Sequence, residues 1–131
     1  MPRGWASAGL LALLALAGWG GWRAWSDAAE RREVAVALTG GVPERAAELM
    51  RRHGCGGCHA IPGLAGADGR VGPALIALRQ RVLIGGNQRN TGETLVRWLV
   101  DPRALRPDAG MPPTGLTEAG ARDVAAWLYS R

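Results

Sequence analysis

The stretch HGCGGCHAIPG, residues 53–63, contains both cysteines of this 131-residue chain. Cys55 and Cys58 are three positions apart, and His59 follows the second cysteine directly. Proteins use two thiols at this spacing to bind zinc, to exchange disulfides or to attach haem covalently. The residues around the pair distinguish these three uses.

Haem attachment fits the stretch best. A zinc site needs two further ligands, and the two histidines, His53 and His59, lie in the same short segment and cannot complete a tetrahedron. A thiol–disulfide pair expects a strand–helix–strand setting, whereas no β-branched strand precedes Cys55. In contrast, two thiols three residues apart meet the two vinyl groups of a porphyrin, and the next histidine reaches the iron. The motif predicts one haem c, attached through Cys55 and Cys58, with His59 as an axial ligand.

The composition agrees with a small domain built around a cofactor. The chain has 20 glycines, 8 prolines and no phenylalanine, which indicates a loop-rich fold with a thin aliphatic core. All 16 basic residues are arginines, and the net charge is +5. The arginines are scattered among acidic residues and form no basic stripe with interleaved aromatics, which argues against nucleic-acid binding.

The first 25 residues predict a transmembrane anchor. Between Trp5 and Trp25 the only charge is Arg23, and as a helix this segment would be about 30 Å long, close to the thickness of a bilayer core. Tryptophans stand at both ends, where such rings prefer the membrane surface. The alternative is a cleaved signal peptide, with Arg3 as its charged start. Residues 26–41 then form a tether that can continue the anchor helix, and residues 42–131 form the haem domain.

Haem is attached to reduced thiols on the outer side of a bacterial membrane. The sequence therefore predicts a single-pass protein of the bacterial inner membrane with its haem domain on the periplasmic side.

From residue 42 onward the chain resembles the class I c-type cytochromes, in particular the small membrane-anchored cytochromes c of bacteria. GVPERAAELMRRHGCGGCH, residues 41–59, is similar to the family's N-terminal helix leading into the haem site. The final residues resemble the C-terminal helix that crosses it, with Thr117 as the cap and with close approach permitted by glycines such as Gly54. The resemblance implies an all-α cytochrome c fold of a few helices around one covalent haem, preceded here by the N-terminal transmembrane helix.

The resemblance also implies roles for residues outside the motif. GRVGPAL, residues 69–75, is similar to the segment in which a proline carbonyl, here that of Pro73, accepts a hydrogen bond from the haem-ligating histidine. Arg70 falls where the family often places a basic residue near a haem propionate. Met111, in the sequence GMPP, resembles the family's methionine ligand, whereas Met50 precedes Cys55 on the histidine side.

Residues 79–90 depart from the pattern of the soluble mitochondrial-type proteins. Further propionate partners in and beside this segment are therefore only candidates: Arg79, Arg81, Asn87, Arg89 and the indole N–H of Trp98. A set of leucines is expected to keep water from the iron: Leu64, Leu75, Leu78, Leu95 and Leu99.

Two strong axial ligands leave the iron no open position, and a thioether ligand stabilises the ferrous state. We therefore expect a non-enzymatic, membrane-tethered carrier of one electron from a quinol-oxidising complex to a terminal oxidase. One alternative is a fixed haem subunit of a membrane dehydrogenase or oxidase complex. Another is a peroxidase or gas sensor with an open iron, which requires that Met111 does not bind.

Overall fold

The computed structural model describes residues 3–131, with side chains from residue 7 onward. The fold is mostly helical, as the sequence predicts, with one short antiparallel hairpin that the sequence analysis missed. The helices and strands are α1 (Arg3–Thr39), α2 (Ala46–Arg52), α3 (Cys55–Cys58), β1 (Leu83–Ile84), β2 (Gln88–Arg89), α4 (Gly92–Val100), α5 (Pro102–Leu105) and α6 (Glu118–Tyr129). Two 3₁₀ turns, Pro43–Arg45 and Leu78–Gln80, complete the set.

The chain divides into two compact units, Met1–Glu30 and Arg31–Arg131. Among the residues that the structure describes, no helix is long and apolar enough to cross a membrane. The anchor predicted for residues 1–25 is therefore not supported by the structure, and its first two residues lie outside the described part.

The second unit is organised around α6, which packs against α2, α4 and the Pro43–Arg45 turn. Thr117 caps α6 as predicted, because its hydroxyl accepts a hydrogen bond from the Gly120 amide at 3.1 Å. Trp127 is 6% exposed and belongs to the hydrophobic core. Nearly the whole of α6 is buried, so this short helix supplies much of the apolar centre of the unit.

The role predicted for Gly54 was wrong. A Cβ at this position would meet no atom within 4 Å, so Gly54 permits no close helix crossing. Its φ of +69° instead lets the chain turn between α2 and α3, a conformation that costs glycine little. A Cβ at Gly120 of α6 would make an ordinary van der Waals contact of 3.6 Å with Leu49 of α2.

The last part of α1 belongs to the second unit. Ala35 and Thr39 are almost completely buried. Arg122 of α6 donates a hydrogen bond of 3.0 Å to the carbonyl of Thr39 at the end of α1. At Gly92 a Cβ would overlap the carbonyl of Leu38, so this glycine allows α4 to begin directly against α1. Residues 31–39, within the segment predicted to be a tether, are thus packed into the unit that carries the cysteine motif.

Candidate haem site

A cavity of about 610 Å³ opens beside the cysteine motif in the second unit. Its lining includes all four residues for which covalent or iron-binding roles are predicted: Cys55, Cys58, His59 and Met111. Most of the remaining wall is apolar and comes from several elements of the unit: Met50, Leu75, Leu78, Ile84, Leu95, Leu99, Val124 and Leu128. Leu64, predicted as part of this wall, is buried in the core but does not line the cavity.

The two thiols lie on one helical turn. The single turn α3 begins at Cys55 and ends at Cys58, and residues three apart on a helix share a face. Burial raises the pKa of the Cys55 thiol above its ordinary value, so this sulfur is held in its protonated form at neutral pH. Both thiols are free, as addition to two vinyl groups requires.

The loop after the motif closes tightly over α3. The amide of Gly69 donates a hydrogen bond of 3.0 Å to the carbonyl of Gly56. A Cβ on Gly56 would lie only 2.8 Å from the Cβ of Ala67, so the first glycine between the cysteines is needed for this packing. The second, Gly57, has no atom within 4 Å of the place a Cβ would occupy.

His59 is held in the orientation of an iron ligand. Its Nδ1 lies 2.7 Å from the carbonyl oxygen of Pro73, which can only accept a hydrogen bond. In the neutral imidazole Nδ1 therefore carries the proton, and Nε2 has a lone pair that can bind a metal. The structure brings Pro73 to the contact that the resemblance implied.

Gly72 allows the segment of residues 69–75 to lie close to the His59 ring. A Cβ on Gly72 would overlap Cε1 of the imidazole and lie 2.7 Å from Nδ1. The sequence analysis assigned no role to Gly72, since nothing in the sequence shows which side chain lies against a glycine.

Met111 and Met50 both line the cavity, but they differ in how deeply they are buried. Met111 lies half-buried in the irregular segment between α5 and α6 and lines the cavity. Met50 also lines the cavity, but it is fully buried in the hydrophobic core at the junction of α2 and α6. His53 borders the cavity too, and its Nδ1 lies 2.9 Å from the carbonyl oxygen of Thr114.

Two arginines reach the cavity. Arg81 donates to the carbonyls of Ala74 and Ile76, at 2.6 and 3.1 Å. Arg106 donates to the carbonyl of Gly85 at 3.0 Å and forms an ion pair of 2.9 Å with Asp108.

Arg106 was missed by the sequence analysis, because an arginine before a Pro-Asp turn carries no distinguishing pattern. Trp98, a candidate propionate partner, also lines the cavity. The other candidate propionate partners do not line it: Arg70, Arg79, Asn87 and Arg89.

A set of partly buried hydrogen bonds stabilises one wall of the cavity. The hydroxyl of Tyr129 donates to Oδ1 of Asn90 at 2.6 Å, and Nδ2 of Asn90 donates to the carbonyls of Leu78 and Arg81 at 2.8 and 2.7 Å. Burial raises the pKa of Tyr129 to about 12, so the hydroxyl remains a donor across the neutral range. This contact joins α6 to the turn that carries Leu78.

Two thiols on one turn, an imidazole with Nδ1 engaged, and an apolar cavity bordered by cations form a site that fits a covalently attached porphyrin with two anionic propionates. These features define a c-type haem domain. A family model described as Cytochrome c matches residues 43–131, and the chain belongs to that family. Neither a search of curated proteins nor one of solved structures gave a match. The protein carries haem c on Cys55 and Cys58 and has a haem-based electron-transfer role.

Proposed function

We propose that this protein is a class I type electron carrier, not an enzyme, in which His59 and Met111 are the two axial ligands of the haem iron. The observation that carries the proposal is that His59, fixed at Nδ1 by Pro73, and Met111 line the same cavity. A carrier of this kind passes single electrons between respiratory complexes, such as a quinol-oxidising complex and a terminal oxidase.

The bound haem supplies one-electron iron chemistry. The chain's own residues decide how that chemistry is used. The Pro73 carbonyl fixes the tautomer of His59, which keeps Nε2 free to bind iron. Leu78, Leu95 and Leu99 border the site with apolar surface, which keeps water away. If His59 and Met111 both bound the iron, no axial position would be left for a substrate.

Met111→Ala tests the proposal, with Met50→Leu as the matched control. The wild-type protein should be low-spin in both oxidation states, show a weak near-infrared sulfur-to-iron band when oxidised, and bind carbon monoxide poorly when reduced. Met111→Ala should lose the band and bind carbon monoxide readily, with the haem still attached. Met50→Leu conserves side-chain volume and should change packing only, costing under about 1.5 kcal/mol.

A high-spin wild-type protein, or an unchanged spectrum in Met111→Ala, would refute the carrier function. The result would instead favour an open-iron sensor or peroxidase.

The proposal extends to a site of action at the outer face of the bacterial inner membrane, with the N-terminal helix keeping the haem domain there. Supporting it, the large apolar side chains of α1 between Leu10 and Trp25 are all more than half exposed. A helix that is apolar on every side is normally covered by lipid or by protein. The full chain should sediment with membranes and be released by detergent but not by salt. Recovery of the full-length protein in the soluble fraction would contradict this.

A further inference from the structure

A hydrogen bond connects the helix before the haem motif to the segment after Met111. Nδ1 of His53, at the end of α2, lies 2.9 Å from the carbonyl oxygen of Thr114. That oxygen only accepts, so Nδ1 donates. Both the neutral Nδ1–H tautomer and the imidazolium can donate in this way, so the contact requires no particular charge on His53.

Thr114 is also held by α4. Its hydroxyl donates to the carbonyl of Leu99 at 2.5 Å, and its amide lies 3.4 Å from the carbonyl of Val100. The hydroxyl oxygen in turn accepts from the amide of Leu116 at 3.1 Å. Thr114 is therefore tied to two helices that form the wall of the haem cavity.

The two residues between Met111 and Thr114 cannot donate a backbone hydrogen bond. Pro112 and Pro113 have no amide hydrogen, and both side chains are exposed. Thr114 is thus the first residue after Met111 whose amide can donate a hydrogen bond. Since prolines restrict the backbone, a fixed Thr114 restrains the position of Met111.

We propose that His53 is a positioning residue which, through Thr114, keeps the sulfur of Met111 on the iron. This inference rests on the proposed function, because it assumes Met111 as an axial ligand. Without the His53 donor, the Met111 segment leaves the iron more often. One neutral hydrogen bond is typically worth about 1 kcal/mol, so release of the sulfur should become roughly fivefold faster.

The experiment measures the rate at which carbon monoxide binds to the reduced, full-length holoprotein at saturating gas, where release of Met111 limits the rate. His53→Leu removes the donor, whereas His53→Asn places an amide nitrogen where Nδ1 stood. Arg52→Ala is the matched control, since this neighbouring side chain is exposed and pairs only with Glu48 among the described residues. The expected result is a rate about fivefold higher in His53→Leu, and wild-type rates in His53→Asn and Arg52→Ala.

Thr114→Val provides an independent test if His53→Leu does not fold with its haem attached. It removes the hydroxyl bond to Leu99 and leaves the side-chain shape, so it should also accelerate carbon monoxide binding. Lower resistance to denaturant with an unchanged binding rate would show a merely structural role and overturn the inference. Equal acceleration in His53→Leu and His53→Asn would also overturn it, because the donor would not be the cause. A wild-type protein without the sulfur-to-iron band would instead refute the proposed function itself.

Discussion

Adding one methyl group at Gly72 should displace the His59 ring. In Gly72→Ala the new Cβ would overlap the His59 ring and approach its Nε2 to 3.0 Å. The ring cannot retreat without losing its 2.7 Å hydrogen bond to Pro73. Overpacking costs about 1–3 kcal/mol and loss of the hydrogen bond about 1 kcal/mol. We therefore expect the free energy of unfolding of the holoprotein to fall by about 2–4 kcal/mol.

The assay is denaturant unfolding of the holoprotein, combined with the spectrum of the folded variant. Gly57→Ala is the matched control, because it lies within the same haem site but its Cβ would meet no atom within 4 Å. In a helix, alanine is favoured over glycine by up to about 1 kcal/mol, so this variant should be as stable as wild type or slightly more so. Equal losses of unfolding free energy in the two variants, or no loss in Gly72→Ala, would contradict the prediction. Contact with the His59 ring would then not be the cause of the destabilisation.

Three further predictions concern other parts of the molecule. Burial raises the folded-state pKa of Tyr129 to about 12. The stability that its neutral hydroxyl provides is therefore complete below about pH 10 and is lost as the pH rises toward the folded-state value. Tyr129→Phe should lack this alkaline loss of stability in unfolding experiments. A chain starting at Val42 should have a free energy of unfolding about 2–4 kcal/mol lower than a chain starting at Arg31. The shorter chain lacks the Thr39 carbonyl that accepts from Arg122 and the buried side chain of Ala35. Equal denaturation midpoints for the two chains would contradict this. Electron transfer to an acidic partner should slow as ionic strength rises from about 0.01 to about 0.15 M, because the screening length shortens, and rates independent of salt would indicate an apolar docking surface.

The covalent part of the site was predictable because it is local. Cys55, Cys58 and His59 occupy one helical turn and the next residue, and thiol spacing alone matches the porphyrin. The helices were predictable for a similar reason, since their apolar periodicity is a property of short segments. The short hairpin was not, because its paired segments contain only two residues each.

The surroundings of the motif could not be assigned in the same way. Arg106 and Gly72 carry no pattern that marks them, and Gly54 was given a packing role that it does not have. The anchor was predicted from an apolar run, whereas the described helix does not meet the requirements of a span.

The family and the covalent haem could be predicted from the sequence, because both depend on residues that are neighbours in the chain. Tertiary structure alone decided which arginines border the cavity and how the Met111 segment is held. The donor on His53 and the acceptor on Thr114 are 61 positions apart, and those on Tyr129 and Asn90 are 39 apart. A hydrogen bond depends on distance and angle in space, and the sequence does not record which distant side chains the packing of α2, α4 and α6 brings together.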